Sequence, residues 1–113
     1  MSMKAILACI FTLLVIDAQA APYFGDGYEL QNRLLRQDPA ALAYVVGVYD
    51  TIQLTQYHAS AAERYVCPPP AVTGTELVDA VKGYLQAEPE ISIYPAALVV
   101  LRALVWAFPC DKA

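Results

Sequence analysis

Cys67 and Cys110 are the residues whose type and placement point most directly to covalent chemistry. The remaining cysteine, Cys9, falls in an amino-terminal segment laid out like an export signal. Lys4 precedes an apolar run from Ala5 to Ile16, Asp17 ends it, and Ala18-Gln19-Ala20 forms a small-x-small cleavage site. At about twelve residues the run is short of the roughly twenty that cross a bilayer, so no permanent anchor is expected. Residues 1–20 are thus read as a signal peptide and 21–113 as the mature, exported domain. In an oxidising compartment its two cysteines read first as a disulfide, with two separate buried thiols as the alternative. Closing a loop of about 43 residues would remove roughly 4 kcal/mol of unfolded-chain entropy, comparable to much of a small domain's net stability.

Other chemistry is poorly provided for. His58 and Ser60 stand two apart, a spacing that points them in different directions on a helix, and no Ser/His/Asp or Cys/His set accompanies them. Ser92 is the other serine of the mature region. A metal site is not expected from two widely spaced cysteines and one histidine, nor a phosphate-bearing cofactor without a glycine-rich loop. Glu63, Asp79, Glu88 and Glu90 read as solvated helix faces. Catalysis is therefore not expected. With 7 Lys+Arg against 11 Asp+Glu, a net charge of -4 and no basic cluster, nucleic acid and anionic membrane are poor partners. Proteins, peptides and small molecules remain.

The elements that must position these residues read as helices. Leu30, Leu34 and Leu35 predict a short helix over 28–37, with Arg33 and Arg36 available for its other side. Asp38-Pro39 marks the next start, because aspartate caps and proline is tolerated in a first turn. The alanine-rich stretch from Ala40 to about Tyr65 predicts a long helix with Leu42, Val45, Val46, Tyr49 and Ile52 on one stripe, interrupted or closely packed at Gly47. A strand over 44–49 is the alternative, disfavoured by poor alternation. Pro68, Pro69 and Pro70 force an extended exit. Thr73 and Glu76 then form a capping box for a helix bearing Leu77, Val78, Val81, Tyr84 and Leu85 on one face. After Glu88-Pro89-Glu90, Ser92 is expected to cap a last helix with Pro95 in its first turn. From Ala96 to Phe108 only Arg102 is charged, so this helix is central, or shared between a core and a partner. The fold class is all-α: a compact domain of four to five helices with one disulfide.

Asp50 draws attention as a carboxylate in an apolar neighbourhood. Its structural reading is a buried acceptor for a helix start or tyrosine hydroxyl, and its functional reading is a partner contact. Tyrosine suits interfaces as well as core edges. Tyr23, Tyr28, Tyr57, Tyr65 and Tyr94 are the ones the helix cores do not claim. The connection from Cys67 to Thr75, stiffened by Pro68, Pro69 and Pro70, is a further candidate surface, or simply a rigid connector.

Gly47-Val48-Tyr49-Asp50, Val66-Cys67-Pro68, the run from Glu76 to Leu85, and Pro95-Ala96-Ala97 through Ala107-Phe108-Pro109-Cys110 together resemble the type VI secretion amidase immunity proteins, over about Gly27 to Cys110. The resemblance implies a helical, disulfide-containing periplasmic protein, often homodimeric, that binds and occludes a peptidoglycan amidase effector. The family pattern commonly includes a second cysteine pair, which would fall near Leu35 or Arg36 and near Ala41 or Leu42. Here leucines are expected to replace it by apolar burial. The alternatives are a periplasmic structural or chaperone-like protein without an amidase partner and, from another class, a small-molecule binding module between helices.

Overall fold

Short polar side chains and prolines begin the helices. In the computed structural model, which describes residues 24–111, Asp26 accepts a hydrogen bond from the Glu29 N–H at 3.0 Å and opens α1, Gly27–Leu35. Asp38 accepts from the Ala40 N–H at 2.9 Å and, with Pro39 in the first turn, opens α2, Pro39–Gln56. Thr73 accepts from the Glu76 N–H at 3.2 Å and opens α3, Gly74–Ala87. A 3₁₀ turn, Pro89–Ile93, leads into α4, Ala96–Ala107. The described residues thus form the expected all-α domain, four helices with one disulfide, and no strand beyond an isolated pairing of Asp26 with Pro95. The expected signal peptide and Tyr23 lie outside the described residues. No described helix is long and apolar enough to cross a membrane.

Helix α4 packs against α1, α2 and α3. It contributes Ala96, Val99, Val100, Ala103 and Leu104 to a core shared with Leu30 and Leu34 of α1, Ala41, Val45 and Ile52 of α2, and Leu77, Val81 and Leu85 of α3. Three buried residues outside the α-helices, Phe24, Val66 and Ile91, complete it. The α3 face follows its sequence pattern, with Asp79 and Gln86 exposed opposite the buried stripe.

The long helix is shorter than its composition predicts. It stops at Gln56, and residues 57–73 follow without helix. The side chain of Gln56, the last residue of α2, is buried and committed to the returning chain. Its Oε1 accepts from the N–H groups of Tyr65 at 2.8 Å and Val66 at 3.0 Å, and its Nε2 donates to the Val66 carbonyl at 2.9 Å. Those bonds satisfy backbone groups that no helix serves. Val66 is thereby delivered into the core and Cys67 to the disulfide, where its N–H donates to the Phe108 carbonyl at 2.8 Å. Cys67 and Cys110 are bonded, with Cα atoms 5.0 Å apart.

Gly47 neither interrupts α2 nor packs closely, since a Cβ built there meets nothing within 4 Å. The close approach belongs to Gly27, where a Cβ would stand 2.7 Å from the Ser92 Cα and 3.1 Å from Val99 Cγ2. Ser92 does not cap α4: it is buried in the 3₁₀ turn against Gly27, and Pro95 holds the cap position without a side-chain bond. The Ala96 N–H donates instead to the Gly25 carbonyl at 3.0 Å, so the start of the described chain completes the start of the last helix.

Leu35 and Leu42 do not replace the absent cysteine pair by burial, being 59% and 41% exposed. The α1–α2 junction is closed by backbone and charge. Gln37 adopts a positive φ of 57°, and the N–H groups of Arg36, Gln37 and Asp38 return to the carbonyls of Asn32, Leu34 and Arg33. Arg33 pairs with Glu29 at 2.9 Å and Asp38 at 3.8 Å while its guanidinium lies 4.7 Å from the centre of the Phe24 ring. Leu35 and Leu42 are then free to face outward.

Two outcomes test this architecture in chemical denaturation. Gln56→Ala leaves the buried Val66 N–H and carbonyl unpaired and is expected to destabilise by about 3 kcal/mol. Verified reduction of the Cys67–Cys110 bond is expected to lower stability by about 2–4 kcal/mol. An unchanged unfolding curve in either experiment contradicts the corresponding role.

Candidate functional site

A helix of 12 residues with one charge cannot bury its whole circumference in a domain this small. One side of α4 enters the core. The other presents Ala97, Arg102, Val105 and Trp106 to solvent, with Leu98 and Leu101 half-buried between the sides. Helix α4 therefore has an inner apolar face in the core and an outer one left exposed.

The outer face opens into two shallow depressions. One, about 460 Å³, lies between α2 and α4, with Tyr44, Val48, Thr51, Tyr65, Ala97 and Leu101 among its lining residues. Gly47 also lines it, and a Cβ built there meets nothing within 4 Å. Burial pushes the Tyr44 hydroxyl above its usual range. The second depression, also about 460 Å³, lies between α3 and α4 and includes Tyr65, Tyr84, Leu101, Val105 and Trp106, with Glu88 and Arg102 at its polar margins. Tyr65 borders both, and its hydroxyl is held 3.0 Å from Thr55 Oγ1.

The residues singled out in the sequence are dispersed relative to this surface. Tyr65 stands between the depressions. Tyr94 flanks α4, with the Arg102 guanidinium 5.8 Å from its ring centre. Tyr57 lies just beyond α2, exposed, edge-on to His58 with ring centres 4.8 Å apart. Tyr28 is exposed on α1. Pro68, Pro69 and Pro70 line a different, more polar depression with Tyr49, Gln53 and Arg64. Asp50 is exposed on α2, and among the described residues nothing bonds to its carboxylate, so the buried-acceptor arrangement is not formed. Ser60 donates to Glu63 at 2.9 Å. Among the described residues no group of three His, Cys, Asp or Glu is placed to hold a metal.

Trp106, Val105 and Leu101 are the surface residues that the sequence reading passed over. Their signal was present, because 96–108 contains more apolar residues than one buried helical face can take. What the sequence could not supply was which side would face inward.

The model of the Rap1a immunity proteins matches residues 28–110, spanning all four helices except the first residue of α1 and including both bonded cysteines. No curated protein and no solved structure matches the chain. The matched region contains every surface described above.

Because Asp50 is exposed and unbonded, Asp50→Ala is expected to change unfolding free energy by no more than about 0.5 kcal/mol. A loss of about 2 kcal/mol or more in a thermal or urea melt would restore a structural role to that carboxylate.

Proposed function

The chain belongs to the Rap1a immunity protein family, and on that premise we propose that it is an exported inhibitor that binds and occludes a peptidoglycan amidase delivered by type VI secretion. Family membership implies a protein effector as the partner and inhibition without chemistry of its own. The amidase and the periplasm are the specific target and place of this proposal. The match across residues 28–110 is the observation that carries it.

The physical basis is occlusion by shape. Outer α4 offers apolar and aromatic side chains on a helix whose opposite face is locked in the core, so little ordering is needed on binding. Large, partly exposed aromatic residues such as Trp106 and Tyr65 are the type that dominate protein–protein binding energy. The proposal includes a homodimer, which light scattering on the purified mature chain checks by mass.

The direct test mixes the purified mature chain with amidases encoded beside it and follows release of cut peptidoglycan. Stoichiometric inhibition is expected, with Trp106→Ala weakening it by about tenfold or more. Hydrolysis undiminished for every such amidase, together with no complex on gel filtration, would reject the proposed target.

A further inference from the structure

The depression between α3 and α4 has a chemical character that its neighbour lacks. The Tyr84 and Trp106 rings stand 5.7 Å apart at 50°, the Trp106 ring reaching to within 3.7 Å of where a Cβ on Gly83 would lie. Although Trp106 is 52% exposed, it is thus packed against α3. Tyr65 adds a third aromatic residue, and Leu101 and Val105 extend the apolar wall. At the margin stands Glu88, where α3 ends, with Glu90 beside it in the 3₁₀ turn. Each carboxyl alters the other: hydrogen bonding and charge from Glu90 push Glu88 up, while Glu88 pulls Glu90 down. Arg102, the one cation among the lining residues, is positioned over Tyr94.

We infer that this aromatic cleft receives a long basic side chain, lysine or arginine, projecting from the bound protein. Aromatic faces attract a cation, apolar walls accommodate its hydrocarbon stem, and a carboxylate at the margin meets its charged head. The net charge of -4 favours approach by a cationic surface. The inference rests on the immunity reading only for the source of the side chain, since recognition by the cleft is a property of this chain alone.

Trp106 is the sole tryptophan and lines the cleft, so its emission reports occupancy without an effector. The intact mature chain is titrated with N-acetyl-lysine methylamide and N-acetyl-arginine methylamide, with N-acetyl-norleucine methylamide as the uncharged control. Expected is a saturable change in Trp106 emission, half-complete at millimolar concentrations, at least about fivefold tighter for the basic compounds than for norleucine. Glu88→Gln with Glu90→Gln is expected to remove that preference while preserving the melting temperature. Equal responses to all three compounds, or a preference for the basic ones that survives the double substitution, would overturn the inference. Failure of every tested amidase to bind would leave this titration result standing, whereas amidase inhibition alongside equal responses would reject the cleft and retain the inhibitor.

Discussion

Backbone donors and acceptors between α2 and α3 have no helix of their own, and the side-chain amide of Gln56 is where that requirement is met most deeply. A primary amide is suited to this position because it accepts and donates at once. Bonding both the N–H and the carbonyl of Val66 lets an irregular segment place an apolar residue in the core without leaving its peptide groups bare. That placement also sets Cys67 beside the end of α4. The covalent bond and the polar clamp therefore act in series, the clamp fixing the segment and the bond fastening it to the last helix.

Much of the fold was legible wherever its cause was local. Asp38-Pro39 and Thr73 start helices because capping involves residues two or three positions apart, and Leu77, Val81 and Leu85 share a face by helical period alone. Legibility ended where a distant residue decided the outcome. At the end of α2 a backbone segment returns to Gln56, and Ser92 is drawn into the interior because Gly27 leaves room beside it. Likewise Leu35 and Leu42 looked like core residues until Arg33 and a left-handed Gln37 closed the junction without them. For the candidate surface, Tyr65 and Tyr94 were visible as unassigned aromatics. Trp106 was hidden inside an apolar run whose inner and outer sides only packing distinguishes.

The small size of the domain links stability to recognition. A chain with 58% hydrophobic residues and few helices has more apolar side chains than interior positions. In α4 the excess is gathered on one side of a rigid element, next to the aromatic residues of α3 and the connector. Such an arrangement suits a protein of this family, membership of which implies binding to a protein effector.

Helix α4 is held at both ends by different means: its first N–H bonds to Gly25, and the segment just beyond its last turn is joined through sulfur to Cys67. Domain swapping exchanges an identical element between two copies of a chain by opening a hinge. Here reciprocal exchange would have to draw Cys110 away from its own Cys67, which the covalent bond forbids while it is intact. The intact intrachain bond thus holds α4 in its own bundle, and copies that carry it associate by surfaces meeting.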